Sequence, residues 1–535
     1  KPPFFYQNNR TFSKIIFMAN QLLGFQHLAQ QHGIELVQPL FSLSQLGAVR
    51  QRALTPQGET LTWPPQYAPP KHFAGHFEFG LKYERLNLEF CSRLFARLGP
   101  ADITAWVQHE PTGRYARRTA FLYEWLTGQT LPVPDTAANV AYVDAIDSSS
   151  YLSAPKPERV RRWRINNNLP GTPAFCPMVY LGPDAQRDWL FDIAASVQAL
   201  DAAYGPELLL RGAAWLTFQE SRASFAIEHE ANNTDRVQRF AAAIRQFSGR
   251  MPEPLATPAL LTLQKAVLGD KALRLGIRQS PVFVGENSFR AQVVHYIAPD
   301  CAMVPGMLAA LQAYELKTRG ALPLARAAAL SFAFVYLHPL ADGNGRVHRF
   351  LIHHLLAADG AVPANLVVPV SATIAGSAKG RADYDSALEL FSRPFMRRYA
   401  DAYRFGPRRT CPDGVESNFQ FLQTEDAQHA WRYPDLTGQT HYLSAVLRHT
   451  VEHEMTAEAQ LLRQYDSALQ ALKTVIEMPD ADADRIIRSL KQENWAISNK
   501  LRKAYPQLFQ EDGPWFDLHA PIIQAVRAAF EPEKD

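Results

Sequence analysis

Residues 323–349 constrain this chain more than any other stretch. Ala327-Ala-Ala-Leu-Ser-Phe-Ala-Phe-Val335 is apolar nearly throughout, so the helix predicted over 323–336 has to be buried. Pro339 and the glycines after it stop that helix. The chain reads His338-Pro-Leu-Ala-Asp342-Gly343-Asn344-Gly345-Arg346-Val-His-Arg349 and enters an amphipathic helix predicted from about Gly345 to Ala358.

A glycine-rich turn feeding a helix start aims backbone N–H groups outward at the positive end of the helix dipole. Such a turn is a phosphate site, and glycines let the phosphate approach the backbone closely. Arg346 and Arg349 are three apart, hence on one face of the first turns, and add two guanidinium forks. Asp342 sits just before the anion loop, where a carboxylate beside bound phosphates anchors magnesium. His338, at the mouth of the loop, titrates near neutral pH and can take a proton from an attacking hydroxyl.

The segment resembles the Fic family motif, His-Pro-Phe-x-(Asp/Glu)-Gly-Asn-Gly-Arg-x-x-Arg, with Leu340 in place of the usual Phe. The resemblance extends over about 205–400. It implies a mainly α fold: a Fic helical core with a β-hairpin flap, plus an N-terminal region and a C-terminal helical lobe. It also implies a protein adenylyltransferase that moves AMP from ATP, with Mg2+, to a Ser, Thr or Tyr hydroxyl of a target protein or of itself. His338 would be the general base and Asp342 the magnesium ligand. Gly343, Asn344, Gly345 and Arg346 would hold phosphates, and Arg349 the ATP tail. Relatives that transfer phosphate carry Lys at the second Gly, so Gly345 favours nucleotidyl transfer.

Three further segments join the resemblance. Val282–Ile297 surrounds Gly285-Glu-Asn with β-branched and aromatic residues and reads as a hairpin. It looks like the family's flap, in which Ser288, Phe289, Arg290 and Val293 would hold an extended target by strand addition. Ser224 and Glu228, four apart on a helix predicted over about 214–232, look like the inhibitory Ser-x-x-x-Glu motif, in which Glu228 would pair with Arg349. His229 stands where that motif usually has Gly or Asn. Tyr384 looks like the family's adenine-bordering Tyr, although Asp385 replaces its usual partner.

The chain has 535 residues, enough for roughly two to four domains. Loop chemistry over 135–173 and breakers over 408–414 divide it. The expected parts are 1–170, a mostly helical region with a connector; 171–405, the Fic domain; and 406–535, a helical domain. Residues 1–60 read as short helical patterns and turns, and 371–380 as a Gly/Ala/Ser loop. The net charge of +3 gives no general pull toward nucleic acid or anionic membrane. No apolar run approaches the ~20 residues of a membrane helix. Four dispersed cysteines form no CxxC pair and read as reduced, which fits a cytoplasmic location. Met18 is a candidate initiator, with 1–17 an upstream extension. The sequence carries no signal for oligomeric state.

Rival readings remain open at this point. His449-Thr-Val-Glu452-His453 matches the H-x-x-E-H zinc-protease pattern but has no evident third ligand. His348, His353 and His354 read as packing or surface residues. A silent Fic-fold binding module, or an enzyme that removes AMP with the same site, would share the motif.

Overall fold

The structure is a computed structural model that describes residues 21–55, 58–183, 187–230, 233–269, 272–287 and 292–531. It is mainly helical, as the resemblance implies, with small accessory sheets. The chain forms two compact units, neither continuous in sequence. Of the described residues, the first takes those within 21–190, 251–355 and 382–443, and the second those within 191–250, 356–381 and 444–531. Both interleave along the chain, because long-range packing and not chain order decides what shares a core.

The first unit opens with a four-stranded sheet, in the order Leu22–Leu23, Ser42–Leu46, Gly58–Trp63, Gln51–Thr55. This differs from the helix-and-turn reading of residues 1–60. Alternation in Ser42-Leu-Ser-Gln-Leu and Gly58-Glu-Thr-Leu-Thr-Trp suits strands with one buried face, and the two pair in parallel. Helices Gly24–Gln31, Phe73–Tyr83, Leu88–Leu98 and Arg114–Thr127 pack Phe25, Phe77, Phe90, Leu94 and Leu122 into one core. Asn87 caps its helix by accepting the Phe90 N–H at 2.8 Å. The connector over 135–173 holds three short strands, Val143–Asp144, Ile165–Asn167 and Glu158–Val160.

The centre of the first unit is helix Pro323–Leu337, with helix Val304–Lys317 packed on it and helix Asn344–Ala358 starting just after it. Pro323 occupies the first turn, where its missing N–H costs nothing. The one charge in its middle, Arg326, is buried and pairs with buried Glu315 at 2.6 Å and with Thr318 Oγ1 at 3.0 Å. Residues 408–414, expected as a boundary, belong to a second hairpin, Tyr403–Thr410 with Glu416–Phe421.

The second unit is all helix. Helix Pro206–Ile227 packs on Thr234–Phe247, where Ser221 Oγ donates to the Val237 carbonyl at 2.7 Å. It also packs on Val370–Ala375, a helix inside the expected 371–380 loop, where Glu220 accepts the Ser371 N–H at 2.7 Å. Helices Thr456–Val475, Asp480–Gln492 and His519–Ala528 enclose Leu472, Ile486, Leu490 and Val526. Among the described residues no helix is long and apolar enough to cross a membrane.

Candidate active site

Helix Pro323–Leu337 ends at His338, which adopts the left-handed conformation (φ 51°, ψ 55°). For a residue with a Cβ this conformation is strained, and it persists only where the surroundings hold it. His338 Nδ1 lies 3.3 Å from the Val335 carbonyl. A carbonyl can only accept, so the contact is a hydrogen bond in the tautomer that carries the proton on Nδ1. That is the tautomer a general base at this position requires.

The next carbonyls of the helix end are also taken. Tyr296 OH donates to the Tyr336 carbonyl at 2.8 Å. Arg278 donates to the His338 carbonyl from Nε at 2.6 Å and to the Leu337 carbonyl from Nη2 at 3.3 Å. Its other bonds go to the carbonyls of Ser280 at 3.1 Å and Pro299 at 2.6 Å. Arg278 is buried, and burial pushes its guanidinium down to about 10, still protonated at neutral pH.

Past His338 the chain is fixed from both sides. Arg278 N–H donates to the Pro339 carbonyl at 2.9 Å and Ala341 N–H to the Gly276 carbonyl at 3.0 Å, an antiparallel bridge centred on Ile277 and Leu340. Gln264 Nε2 donates to the Asp342 carbonyl at 2.9 Å while its Oε1 accepts the Gly276 N–H at 2.7 Å. Leu340 is fully buried, so the substitution for Phe keeps the core filled. Asn344 Oδ1 accepts the Leu340 N–H at 2.9 Å and its Nδ2 donates to the Leu340 carbonyl at 2.8 Å.

Gly343 has φ +87°, which lets the chain turn from the loop into helix Asn344–Ala358. Asp342 Oδ1 accepts the Gly343 N–H at 2.6 Å, and its carboxylate, 56% exposed, lies 3.5 Å from Arg346. Arg346 and Arg349 are buried at the helix start. His348 is buried too, with Nδ1 on the Ser331 carbonyl at 2.7 Å, and His353 and His354 are likewise interior. All three behave as packing residues.

The hairpin expected over 282–297 is present: Phe283–Asn287 pairs antiparallel with Gln292–Ile297. Gly285 sits at an irregularity of the pairing, and a Cβ there would strike the Val293 carbonyl. Val293 pairs with Glu286 and is half-exposed. Ser288, Phe289 and Arg290 lie outside the described residues. Phe283 stacks against Phe419 and Phe405 of the second hairpin, with centroids 4.9 and 5.6 Å away.

Residues 254–356 match the Fic/DOC family. A solved Fic family protein from Desulfovibrio desulfuricans G20 is 16% identical, with a TM-score of 0.33 over 53% of this chain and 79% of that one. None of the curated proteins compared matches the chain. The Fic match begins just upstream of Gln264 and takes in Arg278, the hairpin, His338 and Arg349.

Sequence reasoning found the residues inside the Fic motif but missed Gln264, Arg278 and Tyr296, which hold it. Their partners are mostly backbone carbonyls, and no spacing announces them. Tyr384, read as an adenine neighbour, is buried with the His348 and Tyr442 rings 6.3 and 6.2 Å away.

In the second unit, Ser224 is buried one turn before the end of helix Pro206–Ile227, and Glu228 is its C-cap. His229 takes φ 60°. The Glu230 N–H donates to the Phe225 carbonyl at 2.8 Å and the His229 N–H to the Ala226 carbonyl at 3.1 Å, which together form a Schellman termination. The helix therefore ends as a Gly- or Asn-terminated one does, with His in the left-handed position. His449 and His453 stack ring on ring 4.2 Å apart on an over-wide turn at Thr450–Met455. Among the described residues no three His, Cys, Asp or Glu side chains are grouped to hold a metal ion.

Proposed function

We propose that this protein transfers the AMP part of ATP to a Ser, Thr or Tyr hydroxyl of a target protein or of its own chain. The observation that carries the reading is the His338 ring, with Nδ1 3.3 Å from the Val335 carbonyl, next to a glycine turn whose helix start carries Arg346 and Arg349. In this reading the N–H groups of Gly343, Asn344 and Gly345 receive phosphate oxygens, and the two arginines neutralise them. The target hydroxyl donates its proton to His338 Nε2 as its oxygen bonds to the α-phosphorus. The bond from that phosphorus to the bridging oxygen breaks, and pyrophosphate leaves.

Asp342 fits a magnesium ion arriving with the phosphates. Its carboxylate faces solvent, and the Gly343 N–H engages only one of its oxygens. Magnesium there would offset the charge of the transferring phosphate. The half-exposed strand at Val293 would align an extended target segment with His338. Glu228 would hold the enzyme down by pairing with Arg349, which otherwise clamps the ATP tail, and Tyr384 would back the adenine pocket.

The test is label transfer from α- and γ-labelled ATP to protein. Wild type, Glu228→Gly and His338→Ala are compared. The reading requires label from the α-phosphate only, a strong rise in Glu228→Gly, and a loss of ~10²–10⁴-fold in His338→Ala. Mg·ATP binding without any transfer in wild type or Glu228→Gly would indicate a binding module and overturn it. No change in Glu228→Gly would remove the inhibitory role alone.

A further inference from the structure

A buried helix end leaves its last carbonyls without helical partners, and each must find a donor. Helix Pro323–Leu337 meets that demand with three side chains. His338 takes the Val335 carbonyl, Tyr296 the Tyr336 carbonyl, and Arg278 those of Leu337 and His338. A helix that stops in a left-handed residue usually does so at glycine. Here a histidine stops it, in a left-handed backbone that a residue with a Cβ adopts only at a cost. Charge-assisted bonds from a cation at the negative end of the helix offset such a cost.

We infer that Arg278 is the positioning residue of His338, and that with Tyr296 it ties the flap to the proton-accepting ring. The inference rests on the transfer reading for its kinetic consequence but not for its structural one. By gripping the Leu337 and His338 carbonyls, Arg278 fixes the peptide units on which the imidazole is mounted. The ring then meets the Val335 carbonyl through Nδ1, the orientation in which Nε2 is the nitrogen that would act as base. The same guanidinium holds the Pro299 carbonyl just beyond strand Gln292–Ile297, and Tyr296 lies in that strand. A target segment paired with the hairpin is thereby set at a fixed distance from Nε2. The phosphate turn is held separately, by Asn344 and Gln264. Loss of Arg278 should therefore impair proton acceptance and spare nucleotide binding.

The test uses the full chain with Arg278→Met, Arg278→Lys and Tyr296→Phe, each also in the Glu228→Gly background. Readouts are auto-modification kinetics, Mg·ATP affinity, and histidine-selective 15N NMR, with the His338 signal assigned by comparison with His338→Ala. In wild type the neutral His338 ring is expected to show one tautomer, protonated at Nδ1. Arg278→Met is expected to average the two tautomers and lower kcat on the order of 100-fold, with ATP affinity unchanged. Arg278→Lys, which keeps the charge and loses the fork, is expected to fall between, and Tyr296→Phe to lower kcat less than Arg278→Met. Preserved ATP affinity is the check that a variant is folded. An Arg278→Met protein with wild-type kcat and a single Nδ1–H tautomer overturns the inference, as does loss of ATP affinity in parallel with kcat across all three variants. If wild type and Glu228→Gly transfer no AMP while the tautomer responds as described, the transfer reading falls and the positioning of His338 stands.

Discussion

Asn344 holds Leu340 by both ends of its amide, accepting the Leu340 N–H at 2.9 Å and donating to the Leu340 carbonyl at 2.8 Å. Both residues are buried, so the pair closes the loop between His338 and helix Asn344–Ala358 into a rigid ring. A buried hydrogen bond contributes about 1 kcal/mol net, so Asn344→Ala is expected to cost roughly 2 kcal/mol and to weaken Mg·ATP binding. Asn344→Asp should be worse, because it sets a carboxylate against the Leu340 carbonyl oxygen. Urea unfolding and calorimetric ATP titration check both. An Asn344→Ala protein as stable as wild type would mean that the bridge to Ile277 holds the loop by itself.

Gly343 separates steric from conformational cost. The nearest atoms to a Cβ there belong to Leu268, at 3.8 Å, so there is room for a methyl group. The backbone, at φ +87°, is what an alanine resists. Gly343→Ala is expected to lose about 1 kcal/mol of stability. It should lose more in ATP affinity than in melting temperature, because relaxing φ swings the amides that face the phosphates. Equal ATP affinity in the two proteins would remove Gly343 from the phosphate cradle.

The segment 338–349 was legible as a unit because its features are local: histidine, carboxylate, glycine turn and arginines fall within twelve residues. The hairpin and the two helices around the motif were legible for the same reason, as periodicity and breakers mark them. What escaped was long-range. Arg278 acts on carbonyls of Leu337 and His338, which any residue types would supply. The parallel pairing of Ser42–Leu46 with Gly58–Trp63 leaves no local mark beyond alternation. Pro412 and Gly414 read as part of a boundary over 408–414, whereas Phe405 and Phe419 fold that segment as a hairpin against Phe283.

His229 ends its helix in a left-handed conformation. Its φ of 60° is the position at which glycine ends a helix without strain. His229→Gly is expected to stabilise the second unit by about 1 kcal/mol, the strain removed less the extra freedom of glycine in the unfolded chain. Thermal unfolding followed by far-ultraviolet dichroism measures it. A lower melting temperature would show that the His229 side chain makes a contribution that outweighs its backbone.

Glu84 gives the first unit a pH dependence whose sign can be worked out. Its carboxyl accepts the Phe25 N–H at 2.8 Å, and burial pushes it from 4.5 up to about 8, with the Phe25 bond pulling the other way. A raised carboxyl pKa means that the folded state binds the proton more tightly than the unfolded state does. The stability it contributes is fully present below about 4.5, is lost as pH rises toward 8, and is gone above that. Glu84→Gln carries no titrating proton and keeps an oxygen for the Phe25 N–H. Relative to wild type, its melting temperature is expected to rise steadily across that window and to level off above it. Other titrating groups cancel in the difference, so a constant offset between the two proteins from acid to alkaline pH would show that the Glu84 carboxyl titrates alike in the folded and unfolded chain.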